Sequence, residues 1–197
     1  MSFWLPPATR ALILVNVAVF LLQQVAGDAI ATWFALWPLG SALFEPWQLI
    51  SYAFLHGNLA HIFFNMFGLF MFGSALERYW GSRRLLTFYL VCVLSAALTH
   101  LVVQSLSAMQ EPVVGASGGL FGLMLAFAWY FPRQRMILLI APIPLPAWLF
   151  VTLYGVLELF FGVTGREQGV AHFAHLGGML GGALCILYWR TRGQVRD

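Results

Sequence analysis

The sequence predicts an all-α membrane protein, one bundle of six transmembrane helices with an interfacial loop between the first and second. Three observations carry that prediction. Of 197 residues, 61% are hydrophobic and 9% are charged, where a soluble domain carries about 25% charged residues. The apolar residues gather in runs near the roughly 20 residues that a span needs. The positive charge is all arginine, because the chain has no lysine, and the arginines fall on alternate connections between the runs.

The runs follow in order. Pro6 and Pro7 break any helix before Arg10, and the first span is read over residues 11–26, diluted by Asn16, Gln23 and Gln24. No small-residue cleavage site follows it, so it is kept as a span. Residues 27–60 hold Trp33, Phe34, Trp37, Phe44, Trp47, Tyr52 and Phe54 with Pro38 and Pro46 and little charge. That stretch is too broken to span and too apolar for water, so it is read as interfacial, anchored by its Trp and Tyr rings. Spans two to four are read over residues 61–80, 85–105 and 115–131. The fifth is read over 136–161, with Pro142, Pro144 and Pro146 delaying the helix proper to about Ala147. The sixth is read over 170–189. The expected organisation is a cytoplasmic N-terminus (1–10), one six-helix domain (11–189) and a polar tail (190–197).

Arg10, the group Arg78, Arg83 and Arg84, the pair Arg133 and Arg135, and the tail arginines share one side. The other connections contain only Arg166. By the positive-inside rule both termini are cytoplasmic. The arginines are not clustered with exposed aromatics, so nucleic-acid binding is not read. Cys92 and Cys185 both lie within apolar runs, with no disulfide framework and no metal spacing.

Polar groups inside spans are costly and point to function. The stretch from Gly115 through Ser117, Gly118 and Gly119 places one hydroxyl in the first turn of span four. Backbone N–H groups are free there and the helix dipole is positive, an environment suited to an oxyanion. Span two opens with His61 and, one turn later on the same face, Asn65. Span six carries His175, with Gly178 and Gly182 on its face, a smooth surface for the glycine-rich start of span four. These spacings let Ser117, His175, His61 and Asn65 converge at one outer depth. Serine needs a base to become a nucleophile, and His175 can be that base. The Ser117 backbone N–H, Asn65 and His61 can supply oxyanion donors. No metal or cofactor is implied, since His61 and His175 lack a third ligand at zinc spacing.

The motifs resemble those of the bacterial rhomboid family of intramembrane serine proteases. Gly115-Ala116-Ser117-Gly118 is similar to its G-x-S-G, His61 to Asn65 to its H-x-x-x-N, and Ala174-His175 to Gly178 to its A-H-x-x-G. Glu77-Arg78 with Gly81-Ser82 resembles its turn after span two, and Pro46-Trp47-Gln48 its loop motif, with Gln48 where arginine is common. Phe121 stands where some members have tyrosine and can stack under the His175 ring. The resemblance implies a rhomboid-like bundle, a Ser117–His175 dyad, an oxyanion hole using His61 and Asn65, and cleavage of membrane-anchored substrates near a helix end. The implied setting is a bacterial inner membrane, the partners being the lipid bilayer and transmembrane substrates. The sequence carries no signal of an oligomeric state.

His172 is read as a packing residue beside His175, His56 as a loop residue, and His100 as lacking a motif. Glu158 completes the order Ser, Glu, His, and Gly115-x-Ser117-x-Gly119 fits a nucleophile elbow, but the chain lacks the alternating strands of that fold. Glu158 is therefore expected as a hydrogen-bonded residue of span five, leaving a dyad. The proline-broken fifth span is a candidate gate. Two rival classes are a non-catalytic rhomboid-like protein that holds membrane clients, and a small channel or transporter. The first would lack the Ser or the His. The second would line the depth of the bundle with polar groups, which here gather at one side.

Overall fold

The computed structural model describes residues 5–107, 111–137, 143–165 and 171–193. Helix α1 (Pro7–Ala26) is followed by the short α2 (Asp28–Phe34), α3 (Gln48–Ser51) and a 3-10 turn (Tyr52–Phe54). Helix α4 (Leu59–Gly68) runs through a π-helical turn (Leu69–Gly73) into α5 (Ser74–Trp80). Then come α6 (Ser82–Ser105), α7 (Ser117–Tyr130), a two-stranded antiparallel ribbon of β1 (Arg135–Ile137) and β2 (Pro144–Pro146), α8 (Ala147–Thr164) and α9 (His172–Thr191). Four of these, α1, α4–α5, α6 and α8, are long and apolar enough to cross a membrane, while α7 is apolar but only 14 residues long.

Two element readings differ from expectation. Pro7 does not break α1 but begins it, at the N-terminal position where a missing N–H costs nothing and the fixed φ suits a helix. Residues 135–137 and 144–146 pair as a β-ribbon rather than opening span five. Its prolines tolerate a strand of three residues, with Met136 opposite Leu145, and Ala147 starts the helix as expected. The interfacial loop holds the short α2, α3 and the 3-10 turn, none of them long enough to span. The Pro142 and Arg166 readings, like part of the tail, lie outside the described residues.

The centre of the molecule is the packing of α6, α7 and α9. Small residues make it close. A Cβ on Gly118 would stand 2.5 Å from the Ala96 Cβ of α6, and one on Gly177 would stand 2.5 Å from Thr99. The Ser95 hydroxyl donates to the Gly177 carbonyl at 2.7 Å, joining α6 to α9. In a membrane such packing takes the place of a hydrophobic drive between helices. The outward faces are apolar and bare: Leu21, Phe63, Val102, Val156 and Leu184 are all exposed. That is the pattern of helices solvated by lipid rather than water.

The interfacial loop is wired by side chains. Gln48 is fully buried, and its amide donates to the carbonyls of Leu43 (2.8 Å) and Trp33 (3.3 Å). Its carbonyl accepts from the Trp37 N–H at 3.2 Å. Gln thus satisfies three loop backbone groups where the resemblance led to an arginine. Gln23 of α1 clasps both backbone groups of His56, accepting at 3.0 Å and donating at 3.4 Å. The Leu36–Val113 bridge and the Gly115 N–H, which donates to Tyr52 O at 2.9 Å, tie this loop to the approach to α7.

Candidate active site

Ser117 is the first residue of α7. Its neighbour Gly115 holds φ +130, a backbone that L side chains rarely adopt, so the turn into α7 depends on glycine. The first turn of a helix leaves its backbone N–H groups without intrahelical partners, and Ser117 stands in that turn. Leu120 N–H, which bonds Ala116 O at 3.0 Å, is the start of the helical ladder.

The two predicted reactive residues meet. His175 Nε2 lies 2.7 Å from Ser117 Oγ. His175 stands in the first turn of α9, and the glycines that follow it set its distance from α7. A Cβ on Gly178 would overlap the Gly118 carbonyl, and one on Gly182 would stand 3.3 Å from Gly122 Cα. The ring of Phe121 lies flat against His175, 4.2 Å between centroids and 5° between planes. The stacking expected from its place one turn after Ser117 is therefore present, and it fixes the plane of the imidazole.

His61 and Asn65 arrive from α4. Asn58 caps that helix, its side chain accepting from the His61 N–H at 2.8 Å. The His61 ring borders the same turn: a Cβ on Gly115 would stand 2.7 Å from His61 Nε2 and 3.6 Å from Ser117 Oγ. Asn65 is buried, and its amide nitrogen has no hydrogen-bond partner. An unpaired buried donor on the face of His61 is costly unless something accepts from it. His56 stands edge-on to His61, 5.0 Å between centroids. Burial first, and then His61, pushes His56 down to about 4, so the loop histidine stays neutral at neutral pH. His100 is buried on α6.

Glu158 is where sequence reasoning fell short. It is hydrogen-bonded, as expected, but its partners are the histidines of α9. Oε2 lies 2.9 Å from His175 Nδ1 and 2.7 Å from His172 Nδ1. Ser117, His175 and Glu158 thus form a continuous hydrogen-bonded series, with Glu158 added to the expected pair. The signal available in the sequence was a carboxylate in an apolar span, which must find a partner. Which partner depends on how α8 rotates against α9, and no spacing within one helix states that.

Glu158, His172 and His175 are also the described residues whose ligand atoms could gather around a metal ion. Their present distances are those of hydrogen bonds to one oxygen. The described polar side chains of the site come from α4 (His61, Asn65), α7 (Ser117), α8 (Glu158) and α9 (His172, His175).

Comparison with known proteins identifies the family. The Rhomboid domain family model matches residues 43–192, which include all of the residues above. The chain is 35% identical over 125 residues to the Rhomboid protease GlpG of Klebsiella pneumoniae, covering 62% of this chain and 43% of that protein. It is 30% identical over 198 residues to the Rhomboid protease GlpG of Yersinia pestis, covering 96% of this chain and 65% of that one. A Yersinia pseudotuberculosis Rhomboid protease GlpG matches to the same extent. The chain therefore spans less than two thirds of the length of these relatives. A matched domain over most of the chain, on a membrane bundle of helices that joins a serine to a histidine, leads to one conclusion: the chain belongs to the rhomboid family.

Proposed function

We propose that this chain is an intramembrane serine endopeptidase that cleaves membrane-anchored protein substrates within or near a transmembrane segment. The observation that carries the proposal is the 2.7 Å contact between Ser117 Oγ and His175 Nε2 at the head of α7. In this reading residues 11–189 form one six-span domain, with both termini on the cytoplasmic side of a bacterial inner membrane. The site then opens toward the outside.

The Ser117 hydroxyl gives its proton to His175 Nε2 as Oγ bonds the scissile carbonyl carbon. The oxygen of that carbonyl becomes an anion, received by the Ser117 N–H, the Asn65 amide and His61. The proton on His175 passes to the leaving nitrogen as the C–N bond breaks. Water repeats the sequence on the acyl-enzyme and restores Ser117. Substrate entry beside α8 is supported by how that helix packs. It rests mainly on α9 and α7, and few of its residues are buried.

The test is cleavage of a fluorescent transmembrane substrate by purified protein in lipid vesicles. Wild type cleaves, and Ser117→Ala and His175→Ala are silent while still folded. Cleavage that survives Ser117→Ala would sink the assignment. A wild type that neither cleaves nor reacts with a fluorophosphonate probe would instead favour a non-catalytic client binder.

Asn65 gives a finer test of the oxyanion role. Asn65→Ala removes the unpaired amide and is expected to lower kcat by roughly 10²–10³-fold, about 3–4 kcal/mol in the barrier, with little change in KM. Because the amide has no partner in the resting protein, the variant loses no resting hydrogen bond and its melting temperature holds. A lower melting temperature with unchanged kcat would assign Asn65 to packing instead.

A further inference from the structure

Glu158 lies where it can act on the base. It is the buried polar residue of α8, 9% exposed, while the other buried residues of that helix are Ala147 and Val151. A carboxylate at that place is expensive unless paired. One of its oxygens faces two ring nitrogens, His175 Nδ1 and His172 Nδ1. An ionised carboxylate only accepts hydrogen bonds, so both Nδ1 atoms must carry protons. With its proton on Nδ1, a neutral His175 presents a bare Nε2 lone pair to Ser117 Oγ, the tautomer that a general base requires.

We propose that Glu158 is a positioning residue for His175, making the relay Ser117–His175–Glu158, and that His172 anchors the shared carboxylate oxygen. The inference rests on the protease reading and deepens it. When Ser117 Oγ bonds the acyl carbon, its proton moves to His175 Nε2, and the ring becomes an imidazolium facing the Glu158 carboxylate. Glu158 takes no proton at any step. The proton leaves Nε2 for the departing nitrogen, and the charge pair dissolves. His172 cannot replace His175, since its contact runs through Nδ1 to Glu158 and its Nε2 is buried without a partner. Phe121 fixes the plane of the His175 ring, and Glu158 fixes which nitrogen carries the proton.

A purely structural role is the competing account, in which Glu158 only fastens α8 to α9. The experiment separates the two in the full chain in lipid vesicles. Glu158→Gln is isosteric and can still accept from Nδ1–H but carries no charge. Glu158→Leu can do neither. Four readings are taken: kcat, KM, the rate at which a small fluorophosphonate labels Ser117, and the ring 15N spectrum of His175 in a His172→Gln background. The labelling rate does not depend on passage of a transmembrane segment past α8.

Glu158→Gln is expected to lower kcat and the labelling rate by roughly 10²-fold with KM within about twofold, and Glu158→Leu to lower them further and shift the His175 proton from Nδ1 to Nε2. A folded Glu158→Gln protein with wild-type kcat and labelling rate would overturn the proposal, as would a His175 spectrum without an Nδ1 proton in the parent chain. If Glu158→Leu fails to fold, the Gln variant and the parent spectrum still decide. Failure of the protease reading itself looks different: the wild type is then neither labelled nor active, whatever stands at 158.

Discussion

Gly178→Ala is expected to lower kcat/KM by about 10²-fold or more, because roughly 1 Å of misplacement at reacting atoms costs that much. The physical cause is a collision of backbone with backbone. A Cβ at Gly178 would overlap the carbonyl of Gly118, the residue after Ser117. Side chains escape a collision by changing rotamer, but a helix carbonyl cannot, so α7 and α9 must part. Gly178 lies three residues beyond His175 and faces the same way, so the parting falls on the 2.7 Å contact between His175 Nε2 and Ser117 Oγ. Overpacking of this kind costs about 1–3 kcal/mol of stability, so the variant is expected to fold with a lowered melting temperature. Gly155→Ala is the control. A Cβ there would meet the end of the flexible Met179 side chain at 3.4 Å, an ordinary contact. Cleavage by Gly155→Ala should therefore stay close to wild type. Equal rates for wild type and Gly178→Ala would mean that the approach of α7 to α9 does not set the geometry of the pair.

This same contact was legible in the sequence, and the reason is periodicity. Gly178 and Gly182 share the face of His175 at helical spacing, and Ser117 sits at the glycine-rich head of its own run. Each fact belongs to one helix, so neither needs the other helix to be placed. The relation of His61 to Asn65 is readable for the same reason. Features that depend on two elements at once were not. Glu158 meets His172 and His175 only because α8 turns one particular face to α9. Gln23 finds His56 across 33 residues. The ribbon of residues 135–137 and 144–146 was hidden because prolines in an apolar run read as a damaged helix start. The backbone partners of Gln48 are equally unreadable, because a motif position says which residue is usual and not which backbone groups need a partner.

The other large effect lies at the far end of the bundle. Glu77→Ala is expected to destabilise the fold by about 4 kcal/mol, because it removes a charged acceptor from several donors at once and leaves buried N–H groups unpaired. Glu77 of α5 is buried, and its carboxylate accepts from the N–H groups of Ala8 (2.8 Å) and Thr9 (2.7 Å), the Thr9 hydroxyl (2.7 Å) and the Ser82 hydroxyl (2.6 Å). The first turn of α1 has no capping side chain of its own. A negative charge from another helix therefore takes the place of the cap and meets the positive end of the α1 dipole. Ser82 begins α6, so one side chain fastens α1, α5 and α6 together. Glu77→Gln keeps the shape without the charge and should cost about half as much, and Thr9→Val should cost about 1 kcal/mol for its single hydroxyl. Thermal unfolding in mild detergent reads all three. His61 and Glu77 are 16 residues apart on one nearly continuous helix, roughly 24 Å at 1.5 Å per residue. Below its melting temperature the Glu77→Ala protein should therefore cleave at a rate close to wild type. Loss of cleavage without loss of stability would tie this end of the bundle to the chemistry. A melting temperature equal to wild type would show that α1 is held by its apolar contacts alone.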